Sequence, residues 1–213
     1  MKKVIIIYCL ICMSTMCMFV FSCTYKNDKH CEVLYEKALN NWFQYSWTKD
    51  SSYLLRSKQY IDSINCKPVK MKVFELNISL MYSLKDYEKG KEYIESFDST
   101  YFAISYKKEM YLKAFDMAIL VAEGDTVGQK QLCKELVEKI EFYLKENPNE
   151  ESLCDLFRAK VNIESRDNIL REIEYIRSLN IYEDKIIDFL IQAMSTDDTE
   201  EEVTNVLKKG NEG

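Results

Sequence analysis

Apolar residues in this chain recur at intervals of three and four, block after block, and that rhythm is the signature of amphipathic helices. Tyr87, Gly90, Ile94 and Phe97 fall on one stripe, with Lys89, Lys91, Glu92 and Glu95 on the other faces. Tyr111, Phe115, Ala118 and Ala122 repeat the pattern, as do Leu132, Leu136, Ile140 and Tyr143, and then Ile169, Ile173 and Ile176. With 5 Gly and 2 Pro among 213 residues, the chain is short of the turn formers that a sheet of many hairpins needs. The expected fold class is all-α.

Between successive blocks stands an aspartate suited to cap the next helix, its carboxylate accepting orphan amide hydrogens at the positive end of the dipole. These are Asp50, Asp86, Asp125, Asp167 and Asp197, separated by 36, 39, 42 and 30 residues. A hairpin around each gives ten helices, near 31–48 and 51–65, 70–84 and 86–98, 103–123 and 127–146, 150–164 and 167–179, 182–195 and 199–209. Lys67-Pro68 and Asn147-Pro148 are expected stops, since the residue before proline is pushed out of the helical region. The block around Ile186, Ile187, Phe189, Leu190 and Ile191 is apolar nearly all round and should be enclosed, with TEEEVTNVLKKG as its polar cover.

One hairpin carries a family likeness. Phe74 to Phe97, FELNISLMYSLKDYEKGKEYIESF, resembles a tetratricopeptide repeat in its first-helix tyrosine Tyr82, its Asp86-Tyr87 turn, its small Gly90 and its aromatic Phe97. Ile78 stands where the family has a small residue, and no proline follows Phe97. The likeness implies a right-handed solenoid of about five hairpins over 31–213, whose first helices line a concave, peptide-receiving face. Stacking has a physical cause as well, because a lone hairpin cannot bury both of its apolar stripes.

The start of the chain is different in kind. Lys2 and Lys3 precede Val4 to Ser22, a run without a single charge that has the form of a signal peptide. At 1.5 Å per residue such a run reaches roughly 28 Å, so a single membrane span is the alternative. Val20-Phe21-Ser22-Cys23 resembles the lipobox of bacterial lipoproteins, which implies cleavage before Cys23 and acylation of that residue with chains such as palmitate. The expected organisation is then a signal peptide over 1–22, a lipidated tether over 23–30 and a repeat domain over 31–213. Thr24 follows the cysteine and no aspartate stands there, which points to the outer membrane; the weakly acidic TYKNDK favours its periplasmic face.

Cleavage would remove only Lys2 and Lys3 from the 29 Lys and Arg, leaving 27 against 35 Asp and Glu, a net charge of −8. That balance argues against a nucleic-acid partner, which needs basic stripes. The one histidine, His30, lies beside Lys29 and Cys31 without the spaced ligands of a metal site. No glycine-rich phosphate loop and no G-x-S-x-G or H-E-x-x-H motif occurs, and Glu92 with Glu95 reads as a solvated face. The expectation is a protein without catalytic residues, metal or cofactor.

Of eight cysteines, Cys9, Cys12 and Cys17 lie in the oily run and Cys23 takes the lipid. Cys31 opens the first helix and Cys66 closes its antiparallel partner, so a disulfide between them is possible in an oxidising compartment, with two buried thiols as the alternative. Cys133 and Cys154 sit unequally about Pro148 and make poor partners. Trp42, Phe43, Tyr45 and Trp47 crowd one helix, and since neighbours diverge by 100° they cannot all face one core. Trp42, Tyr45, Trp47, Tyr82, Tyr106 and Tyr111 are the candidate partner contacts. Together these readings suggest a membrane-tethered module that binds a protein or peptide; the alternative is an envelope lipoprotein that binds or processes glycans with carboxylates and aromatics in a groove.

Overall fold

The computed structural model describes residues 28–195, and the lipobox, Cys23, Asp197 and the expected helix over 199–209 lie outside them. Among the described residues the chain is all-helical, with nine α-helices and one 3-10 turn. It divides into two compact units, one up to Glu92 and one from Tyr93.

In the first unit α1 runs over 28–48, α2 over Ser51–Asp62, α3 over Met71–Ser83, and α4, over Tyr87–Glu95, contains the division. Helix α1 is already formed at Asp28, and Lys29 and His30 are helical. The core gathers Ala38, Leu54, Ile61, Val73, Leu76 and Leu80 from α1, α2 and α3. Ala38 and Ser57 are both fully buried, and the Ser57 hydroxyl donates to the Ala38 carbonyl oxygen at 2.7 Å. That bond between α2 and α1 satisfies the one polar atom that burying a serine would otherwise orphan. Within this unit α3 is the most enclosed, with Val73, Phe74, Leu76, Ile78, Leu80 and Met81 all buried.

The caps follow the side chains. Asp50 accepts from the Ser52 amide at 2.8 Å, which holds its carboxyl below the usual range, and Asp125 accepts from Gly128 at 2.8 Å. Asp86 sits just before α4, where its carbonyl takes the first helical bond from Gly90 at 2.9 Å. At α8 the expectation is corrected: Ser165 is the cap, and Asp167 falls inside the first turn, where its charge still meets the dipole. Helix α2 ends three residues early, its last turn tightening as the Ser63 amide shares its bond between Gln59 and Tyr60 and the Ile64 amide bonds to Ile61 at 3.0 Å.

In the second unit a 3-10 turn over Ser99–Tyr101 leads to α5 (Lys107–Glu123), α6 (Thr126–Glu146), α7 (Glu150–Lys160), α8 (Arg166–Ser178) and α9 (Asp184–Ser195). Helix α5 packs on α6, α6 on α7 and α8 on α9, and α7 also touches α9. Two clusters result. Cys133, Leu136, Val137 and Ile140 meet Leu156 and Ala159 of α7 on one side; Leu153 and Phe157 of α7 meet Ile169, Ile173, Ile187 and Leu190 on the other. Among the described residues α9 buries Ile187 and Leu190 and leaves Phe189 57% exposed; the segment expected to cover it lies outside them.

The scarcity of glycine leaves a mark at the helix ends. Gly124, with φ at 80°, closes α5, and the Asp125 amide reaches back to Leu120 at 2.9 Å. The corresponding left-handed positions after α1, α3 and α8 are Lys49, Lys85 and Asn180, with φ of 56°, 60° and 52°. A side chain there costs about 1 to 2 kcal/mol, less about 0.5 to 1 that glycine loses in chain entropy. Lys49→Gly and Lys85→Gly are therefore expected each to raise unfolding free energy by about 0.5 to 1 kcal/mol, and Gly124→Ala to lower it by a similar amount. Urea unfolding of the three variants checks the signs.

Candidate functional site

The phase of α1 decides which of its aromatics reach the surface. Cys31, Leu34 and Ala38 are buried, and a helix that faces them inward carries Trp42 and Tyr45 inward too. Both pack against the core of the first unit. Phe43 and Trp47, four residues apart, share the outward face and are 47% and 84% exposed. Phe43, absent from the six expected contacts, is thus part of the surface; its signal was the same phase, read from Leu34 and Ala38.

Tyr82, on α3, is 49% exposed and lies 5.8 Å ring to ring from Tyr87 at the start of α4. The turn between them makes this possible: Lys85 adopts its left-handed conformation and the Asp86 amide bonds back to Met81 at 2.9 Å. Gly90 and Ile94, the small and apolar positions of the repeat-like segment, are buried.

In the second unit Tyr111 is half-buried and stands at one end of a run of rings. Successive centroids from Tyr93 through Phe97, Tyr101 and Phe102 to Tyr111 are 5.1, 4.5, 5.2 and 6.0 Å apart. Tyr106 requires a correction. It is 1% exposed, and its hydroxyl donates to Asp155 Oδ2 at 2.8 Å, so it is a core residue and offers nothing to a partner.

Around that bond lies a polar cluster, buried at Lys107 and Asp155 and exposed at Glu151 and Arg158, that periodicity alone does not reveal. Lys107 Nζ reaches the same Asp155 oxygen at 2.6 Å and Glu151 at 2.7 Å, and Arg158 stands 3.5 Å from the other Asp155 oxygen. Burial pushes the Tyr106 phenol well above its ordinary range, and the Asp155 and Glu151 charges add to this. The Ser152 hydroxyl pulls the other way, near enough to act on the phenol while lacking a well-aligned hydrogen-bond partner among the described residues. Lys160, 4% exposed, ties three helices together through Glu141 of α6 at 2.8 Å and Glu172 of α8 at 2.7 Å. Burial is the strongest single influence on its ammonium and lowers its pKa, but the bonds and charges of the two glutamates together outweigh it and the net shift is upward. One sequence signal existed: Lys160 stands seven after Leu153 and four after Leu156, on the apolar stripe of α7.

At the start of α1 the chain is fastened several times over. Cys31 and Cys66 form a disulfide with Cα atoms 6.3 Å apart, inside the range such a bond needs. Asp28 pairs with Lys70 at 3.1 Å, Glu32 pairs with Lys72, and the Lys72 ammonium lies 4.4 Å from the Tyr35 ring centre. The recess beside these groups encloses about 10 Å³, which at most matches one water molecule, and its single carboxylate, Glu32, is the one paired with Lys72. Cys133 and Cys154 are free thiols, the former donating to the Ala159 carbonyl at 3.1 Å. Among the described residues no three His, Cys, Asp or Glu are grouped to hold a metal ion, and no helix is long and apolar enough to cross a membrane.

Comparison with known proteins finds no matching family, no similar curated protein and no similar solved structure.

The shifted groups fix a pH response. Tyr35, Tyr106, Tyr182, Lys160, Cys133 and Cys154 all have folded pKa values raised above their ordinary ones. Each therefore contributes stability below its unfolded pKa that is lost as pH rises toward the folded one. Stability is expected to decline from about pH 8.5, where unfolded thiols ionise, and more steeply from about pH 10, where tyrosine and lysine join them. Tyr106→Phe should cost about 1.5 to 3 kcal/mol at neutral pH and flatten the steep limb. Thermal melts across pH on both proteins test this. Cys31→Ala with Cys66→Ala should cost about 3 to 4 kcal/mol by opening a loop of about 36 residues, read as a lower urea midpoint.

Proposed function

We propose that this chain is a bacterial envelope lipoprotein, held to the outer membrane through acylated Cys23 and working on its periplasmic face as a protein-binding module without catalytic activity. Its hairpins would stack as a right-handed tetratricopeptide-like solenoid, and a protein or peptide would lie along the surface formed by the first helices. Neighbour-on-neighbour packing of α5, α6 and α7 supports this reading for the second unit. So does the likeness of Phe74 to Phe97 to a repeat of that family.

The observation that carries the proposal is the Tyr82–Tyr87 pair. Two tilted rings 5.8 Å apart, one of them half exposed, form a rigid amphipathic contact at the position from which such a repeat would meet its ligand. Tyrosines of this kind commonly dominate binding energy, because they bury much area while freezing few rotors.

Two measurements test the parts separately. Envelope proteins recovered on the full-length protein should include a reproducible partner whose recovery falls about 5- to 30-fold with Tyr82→Ala, the loss expected of a hot spot near 1 to 2 kcal/mol. Unchanged recovery sinks the Tyr82 contact. For the anchor, globomycin should cause the precursor to accumulate and Cys23→Ala should free the protein from full membrane attachment. A precursor of unchanged size under the drug, or a Cys23→Ala protein that stays fully bound, refutes lipidation. Turnover of an oligosaccharide library by the purified protein would instead favour glycan processing.

A further inference from the structure

The outward face of α1 carries large apolar side chains at the surface. Val33, Phe43 and Trp47 are exposed there at 46%, 47% and 84%, and its charged members are Lys29, Glu32, Glu36 and, at its edge, Lys37. Those four charges cancel, whereas the whole chain carries −6. On an acidic protein, this is a surface that an anionic bilayer does not repel.

Its place along the chain adds a second constraint. The charge-free run ends at Ser22, and Cys23 stands five residues before Asp28, where α1 is already helical. Five extended residues span at most about 17 Å, so the start of α1 cannot lie far from a membrane that holds Cys23. Nineteen helical steps then carry Trp47 about 28 Å along the axis. Whether Trp47 meets the membrane depends only on whether α1 stands up from it or lies along it.

We propose that α1 lies along the bilayer, with Phe43 and Trp47 seated among phospholipid headgroups as a second attachment point 19 residues from Asp28. Indole and phenyl rings are suited to that depth, since each presents an apolar body that the interface accepts, and the indole N–H finds acceptors there. Lys29, five turns from Trp47 on the same line of the helix, faces lipid phosphates from that side. The inference rests on the proposed membrane tether at Cys23 and assigns this face to lipid, leaving Tyr82 and Tyr87 to the protein partner.

The test uses the full chain, acylated in a bacterial host, reconstituted in vesicles of phosphatidylethanolamine and phosphatidylglycerol. Indole emission is compared with and without brominated lipids, and the same spectra from Trp47→Phe are subtracted, so that half-buried Trp42 drops out. The expected result is a blue-shifted Trp47 signal, most of which is lost to bromine near the headgroups. A vesicle-bound chain whose Trp47 signal ignores the bromine overturns the docking and leaves the tether standing. A Trp47 signal that is blue-shifted yet unquenched also overturns it, in favour of a protein cover. A chain that does not stay with vesicles at all overturns both.

Discussion

Helix α7 is the element on which the second unit turns. It has eleven residues and two apolar faces, one spent on α6 and the other on α8 and α9, so neither cluster closes without it. A helix covered on both sides leaves little room for ordinary surface charge, yet α7 carries Asp155 and Lys160 in the buried region. The unit accommodates them by bringing opposite charges from its neighbours. Lys107 and the Tyr106 hydroxyl come from the start of α5, Glu141 from α6 and Glu172 from α8.

Such pairs are poor candidates for raw stability, because desolvating two ions offsets most of their attraction. Their value is in register. An apolar stripe can slide by a turn at small cost, but a helix displaced by a turn would leave Lys160 without Glu141 and Glu172 and with only Glu164, 3.8 Å away, and an under-paired buried ammonium is far more expensive. The two clusters of α7 supply adhesion, and its two buried charges choose which adhesion is allowed.

Much of this architecture is legible in the sequence, for local reasons. The nine described helices fall close to where apolar rhythm, aspartates and prolines place them, because each signal acts within a turn or two of its own position. The errors are at the ends: Ser165 takes the cap expected of Asp167, α2 stops three residues short, and α5 begins and α7 stops four residues inside their expected bounds. The four aromatics of α1 exceed one stripe, and the phase of Leu34 and Ala38 sorts Trp42 and Tyr45 inward from Phe43 and Trp47 outward. Tyr106 is illegible. Its partner Asp155 is 49 residues away, and no pattern of spacing announces that a carboxylate will be buried in position to receive a phenol.

The bond between Cys31 and Cys66 has a mechanical consequence. Tension that enters from the amino-terminal side crosses at Cys31 through sulfur to Cys66, so residues 32–65 form a closed covalent ring outside the load path. Pulling on this protein would spare α2 and α1 from Glu32 onward inside that ring, and the stretch would be borne by the residues before Cys31 and by the chain from Lys67 onward.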